Sequence, residues 1–115
     1  MAGHTKCGGI GAALTTTNYG PLEHYLSEIR HLRNVHATEL NAITDTTART
    51  NRLVELNVAY QVMNVAASQF AQKKWNSGGT LRVHGVVYSL DTGIITNLGV
   101  TIDSLTGVDA ALRLY

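Results

Sequence analysis

A chain of 115 residues and 12.4 kDa is one domain's worth of protein, because single cores typically hold about 100 to 150 residues. Nine Lys and Arg against eight Asp and Glu leave a net charge of +1, so no summed positive field exists to neutralise phosphates, and nucleic acid is not an expected partner. The 44% hydrophobic content with one proline argues against disorder, and polar residues break every apolar run short of the ~18 that a membrane helix needs.

Met1 to Cys7 has neither the apolar stretch of a secretory signal nor the Arg-rich pattern of a transit peptide. A cytoplasmic location is therefore expected, with organellar targeting left open should further sequence precede Met1. Glycines at 3, 8, 9 and 11 predict a tight turn leading into a short helix over residues 1–14. Pro21 suits a first helical position, and Leu22, Leu26, Ile29 and Leu32 recur at helical spacing to about His36.

Asp45 or Thr46 is a good N-cap for a long helix running to about Trp75. Leu53, Leu56, Tyr60, Met63, Ala67 and Phe70 form one stripe along it, widened by Val54, Val58, Val62 and Val65, so the helix is expected to be buried on more than one side, with Tyr60 and Phe70 in the core and Trp75 covering its end. Asn76 to Gly79 stops it. Residues 80–98 then read as a strand pair around the turn Asp91-Thr92-Gly93, and 103–115 as a terminal helix. Broad apolar helix faces with only two short strands to cover them leave sheet unaccounted for.

His4 and Cys7 form an HxxC pair in a glycine-flanked turn. Such spacing lets an imidazole nitrogen and a thiolate converge on a tetrahedral zinc ion, although a surface histidine beside a small buried cysteine would look the same. The only cysteine, Cys7, excludes an internal disulfide. His24, His31 and His36 read as solvated helix residues and His84 as a hydrogen-bonded sheet residue. Gly3 and Gly8 have the first spacing of a P-loop, but Gly9 and Ile10 stand where Lys and Ser or Thr are required; Gly9, Gly11 and Leu14 break the GxGxxG pattern as well.

Longer pieces carry more than any local motif. Gly3-His4-Thr5-Lys6-Cys7-Gly8-Gly9, Leu26-Ser27-Glu28-Ile29-Arg30, Glu55-Leu56-Asn57-Val58 with Gln61-Val62 and Asn64, and Val83-His84-Gly85-Val86-Val87-Tyr88 through Asp91-Thr92-Gly93 to Leu98 occur in one order over nearly the whole chain. In this the sequence resembles the β-class carbonic anhydrases, whose zinc turn reads GHxxCGG. The resemblance implies an α/β fold, the C-terminal portion of a parallel-sheet domain, helix-rich with two short strands.

It also implies zinc-dependent interconversion of carbon dioxide and bicarbonate. His4 and Cys7 match two of the family's three protein metal ligands, and Gly8 matches a position whose backbone lies beside substrate. A homodimer or higher homo-oligomer is implied too. The family's other metal-ligand cysteine belongs to a CxDxR motif that would precede Met1, so activity is expected to be impaired in these 115 residues alone. Glu55, Asn57, Gln61 and Asn64 are read as packing and hydrogen-bonding positions. Two other readings stay open: a non-catalytic remnant acting as an interaction module, and a hydrolase of carbonyl sulfide or carbon disulfide on the same fold.

Overall fold

The computed structural model describes residues 1–115. The chain opens with strand β1 (Ala2–His4), then helices α1 (Gly8–Ala13), α2 (Glu23–Val35), α3 (Ala37–Asn41), α4 (Thr46–Ala67) and α5 (Gln69–Asn76), and closes its sheet with β2 (Val83–Tyr88) and β3 (Ile95–Ile102). No helix is long and apolar enough to cross a membrane.

The fold is the expected α/β class, but the sheet has three strands. In the order β1-β2-β3, β1 runs parallel to β2 with Gly3 opposite Val87, while β2 and β3 form an antiparallel hairpin. The hairpin turns where the sequence places it: Gly93 takes φ +70° and donates its N–H to the Ser89 carbonyl at 2.8 Å. It also runs further, to Ile102.

Helix α4 lies across all three strands. Its N-cap is Asp45, whose carboxylate accepts from the Ala48 N–H at 2.7 Å and satisfies one of the free donors of the first turn. Its buried residues are Thr50, Leu53, Val54, Val58, Val62 and Ala66, and Val54 and Val58 are the ones that meet β1. The valines expected to widen the stripe thus form its centre, and Tyr60 and Phe70 are not core residues: Phe70 is 83% exposed. Flat β-branched side chains fit a pleated sheet, and two glycines let the sheet come close. A Cβ on Gly3 would stand 2.7 Å from Val58 Cγ2 and 2.8 Å from Val54 Cγ1, and one on Gly85 would meet Val58 at 3.2 Å.

The single long helix to Trp75 is broken at Ser68. This residue leaves helical geometry (ψ 148°) and caps α5 by accepting from the Ala71 N–H at 3.4 Å. Helix α5 therefore leaves the line of α4, which turns Phe70 to solvent and sets Trp75 over the sheet's far end, its Nε1 donating to the Leu81 carbonyl at 3.0 Å.

The helix expected over 103–115 does not form. Two 3₁₀ turns, Leu105–Gly107 and Ala110–Leu112, stand there instead. A helix of so few residues is marginal by itself, and this tail finds better partners across the chain. The fully buried Gln72 side chain donates to the Leu112 carbonyl at 2.9 Å and accepts from the Leu114 N–H at 2.8 Å.

Two apolar clusters result. One joins α1, α2, α3 and the first half of α4 around Leu26, Leu40 and Leu53; the other packs Val62, Ala66 and Trp75 against Val83, Ile102 and Val108. The candidate site sits at the edge of the first.

Candidate functional site

His4 ends β1 and Cys7 is the N-cap of α1, so the HxxC pair spans the turn that joins strand to helix. The geometry of that turn is carried by Lys6, the only non-glycine residue with positive φ (54°), and not by the surrounding glycines. An L-residue there costs about 1–2 kcal/mol, and three ties from distant elements hold it. Asn51 Oδ1 of α4 accepts from the Lys6 N–H at 2.8 Å. The Lys6 ammonium donates to Asp91 Oδ1 at 2.6 Å. Thr5 donates its N–H to the Tyr88 carbonyl at 2.9 Å, and its hydroxyl accepts from the Leu90 N–H at 3.0 Å. Strand end, hairpin loop and long helix together fix the positions of His4 and Cys7.

The His4 ring is polarised in one sense. Its Nδ1 lies 2.8 Å from the Thr5 carbonyl, which can only accept, so Nδ1 carries the proton and the Nε2 lone pair is left for another partner. A metal-binding histidine has this arrangement. Cys7 is half-buried and free.

Both residues line one cavity of about 210 Å³. Its other walls are Met1 just before the first strand, Ala2 and Gly3 of that strand, Ile10, Tyr25 of α2, and Val54, Asn57 and Val58 of α4. The lining is mostly apolar and holds no charged side chain. Gly8 lies outside it, at the exposed start of α1, with no atom within 4 Å of where a Cβ would stand, so its backbone is open to a small molecule.

The donor set fits zinc in kind and falls short in number. An imidazole nitrogen and a thiol are both ordinary zinc donors. No three His, Cys, Asp or Glu side chains anywhere in the chain come together to hold a metal ion. His24 and His31 are exposed on α2, and His36 faces Glu39 at 3.8 Å. His84 Nδ1 is engaged by the Thr101 hydroxyl at 2.9 Å, as its place in a strand suggests. None of these four reaches the cavity.

Sequence reasoning missed Tyr25 and Asn57 as cavity residues. For Asn57 a signal existed, since it sits next to Val58 and one turn from Val54 on α4. For Tyr25, only the packing of α2 against α1 reveals that its ring passes Gly9: its Cε1 is 3.6 Å, and Cys7 Sγ 4.0 Å, from the position of a Gly9 Cβ.

The sequence of residues 1–95 matches the family model described as carbonic anhydrase. The chain belongs to the β-class carbonic anhydrase family. It is 40% identical over 100 residues to a carbonic anhydrase of Emericella nidulans, a match that covers 87% of this chain and 44% of that protein. A Coccomyxa β-carbonic anhydrase, solved in complex with acetazolamide, superposes with a TM-score of 0.85 at 32% identity over 96% of this chain and 52% of that one. A Sordaria macrospora β-carbonic anhydrase, described as tetrameric, gives 0.82 at 32% identity, covering 88% of this chain and 51% of that one. The chain spans about half the length of the relatives it matches.

Proposed function

We propose that this chain carries the His–Cys half of the zinc site of a carbonate dehydratase, an enzyme that interconverts carbon dioxide and bicarbonate. His4 and Cys7 would hold the ion, with at least one further protein donor from outside these 115 residues. When bound, zinc supplies Lewis-acid activation of water at neutral pH.

The observation that carries the reading is the meeting of two committed donors in one apolar cavity. The Thr5 carbonyl accepts from His4 Nδ1, which leaves Nε2 for a ligand, and the ties from Asn51 and Asp91 hold Lys6 in the turn between His4 and Cys7. Val54, Val58 and Ile10 give the cavity an apolar wall, which suits an uncharged linear substrate such as carbon dioxide. The open backbone of Gly8 offers an N–H to an oxygen of substrate or product. Assembly into homodimers or larger oligomers, in the manner of the tetrameric Sordaria protein, belongs to the same proposal.

The test is stopped-flow carbon dioxide hydration by the chain alone and mixed with the portion of the Emericella relative that it does not match. Little turnover is expected alone. Turnover by the mixture that disappears with His4→Ala and with Cys7→Ser supports the proposal, and a mixture that assembles and takes up zinc yet stays at the buffer rate overturns it.

A further inference from the structure

Helices α2 and α3 border a second cavity of about 350 Å³, lined by Arg30, Arg33, Asn34, Ala37 and Asn41. It shares no residue with the cavity at His4 and Cys7. No carboxylate lines it, and Ala37 is its one apolar side chain, so the group that suits it is polar and anionic.

The two arginines differ in what they have left to offer. A guanidinium carries five N–H donors, and Arg30 commits all of them: Nε and Nη2 to Glu23, Nη1 to the carbonyls of Ala13 and Thr15, and Nη2 again to the carbonyl of Thr17. Its charge is balanced by Glu23 at 3.0 Å. Arg33 is half-buried and donates once, from Nη1 to the Ala13 carbonyl at 3.3 Å. No Asp or Glu stands within ion-pair distance of it. The bond to Ala13 anchors the guanidinium and leaves the Nε and Nη2 edge unused, two parallel donors that match two oxygens of one anion.

Asn34 and Asn41 decide which anion. Both are exposed and line the same cavity, and each carboxamide carries two further donors. A carboxylate has only the two oxygens that the fork takes, whereas a phosphate has others left for the carboxamides. The net charge of +1 supplies no long-range attraction, so recognition rests on this local fork. The carbonyl end of α2 beside it keeps the affinity modest.

We infer that this cavity is a phosphate site, in which Arg33 holds two oxygens and Asn34 and Asn41 take the others, for free phosphate or the phosphate group of a small monoester. The site depends neither on zinc nor on carbon dioxide.

The test titrates inorganic phosphate, glycerol 3-phosphate and acetate separately into the 115-residue chain at constant ionic strength. NMR follows the Arg33 Nε–H and the side-chain amides of Asn34 and Asn41. Saturable shifts are expected with phosphate or the ester at about millimolar half-saturation, with acetate about tenfold weaker or more. The tighter of the first two identifies the source. Arg33→Lys keeps the charge and loses the fork, and should weaken phosphate by about tenfold. Asn34→Ala and Asn41→Ala should each weaken it by about threefold or more and leave acetate unchanged. Both asparagines are exposed, so these two variants keep the fold whatever becomes of the arginine variant. Shifts that grow linearly with phosphate, that persist unchanged in Arg33→Lys, or that acetate matches at equal concentration would overturn the inference and leave ionic screening only. Phosphate affinity untouched in both asparagine variants would overturn it as well, because the choice of anion rests on those carboxamides.

Discussion

Lys6 Nζ stands 2.6 Å from Asp91 Oδ1, which ties the turn holding Cys7 to the hairpin loop between β2 and β3, 85 residues along the chain. The side chains are 49% and 59% exposed, so the pair is worth only about 0–1 kcal/mol and is screened by salt. The tie from Asn51 to the Lys6 N–H has the greater effect, because that bond holds a backbone conformation an L-residue resists. Asp91→Asn is expected to change stability by less than about 1 kcal/mol, and by nothing measurable in molar salt. Asn51→Leu should cost roughly 1 kcal/mol and also shift the Cys7 resonances in an NMR spectrum. Equal effects from the two variants would show that the ion pair holds the turn after all.

Gln72 fastens the C-terminal tail. Its buried carboxamide donates to the Ala67 carbonyl at 2.7 Å and to Leu112, and accepts from Leu114. Gln72→Leu would leave these backbone groups without partners, and a loss of about 2–4 kcal/mol is expected in urea unfolding. The Leu114 N–H should lose its exchange protection in the same variant. Retained protection at Leu114 would mean that Val108, buried at the same end of the molecule, anchors the tail without help.

Gly3→Ala drives a methyl to within 2.8 Å of two valines. Overpacking of this kind costs about 1–3 kcal/mol. Val58→Ala alone should also destabilise, but combined with Gly3→Ala it should recover part of the loss, a coupling that a double-mutant cycle in urea would measure. Strict additivity would show that β1 moves away from α4 at no cost.

The same glycines explain what the sequence disclosed and what it withheld. Leu26, Ile29 and Leu32 make a narrow stripe on α2, so only one face could be buried, and that face is buried. Helix α4 is apolar around most of its girth, and periodicity cannot choose between the Leu53-Leu56-Tyr60 line and the Val54-Val58-Val62 line. The choice is made by Gly3 and Gly85 from strands at opposite ends of the chain. Ser68 broke the helix without glycine or proline, by capping alone, and the tail's 3₁₀ turns depend on Gln72 some forty residues away. His4 and Cys7 were legible because the turn is local, and Asn57 could be placed from its seat beside Val58 on α4; Tyr25 entered the cavity only through tertiary packing.

Acid should loosen the loop after α1. Glu23 is bonded to the Arg30 guanidinium, which in turn donates to the Thr17 carbonyl at 3.0 Å, and this hydrogen bond, followed by the one from the Tyr19 N–H, holds the Glu23 carboxyl below its ordinary value. A carboxyl lowered in the folded state contributes stability that is complete above the unfolded glutamate value of about 4.3 and is lost as pH falls through the folded value. Urea midpoints followed downward from neutral pH should therefore decline in that acid window, and Glu23→Gln should flatten part of the decline. An unchanged slope in the variant would place the acid sensitivity on other carboxylates.

Two donors are too few to retain zinc. Protein zinc sites use three or four protein ligands, and each absent one leaves the ion to exchange with water and buffer. The chain presents His4 Nε2 and Cys7 Sγ in one cavity and no third His, Cys, Asp or Glu beside them. Elemental analysis of the purified chain after dialysis should find far less than one zinc per chain. Cobalt titrated into it should give only a weak thiolate-to-metal absorption that vanishes in Cys7→Ser. Addition of the unmatched portion of the Emericella relative should raise zinc content toward one per pair and strengthen the cobalt band, and His4→Ala should reverse both. Stoichiometric zinc in the 115-residue chain by itself, lost in His4→Ala and in Cys7→Ala alike, would defeat the two-donor account and point to a site shared between copies, with His24, His31 and His36 the next donors to replace.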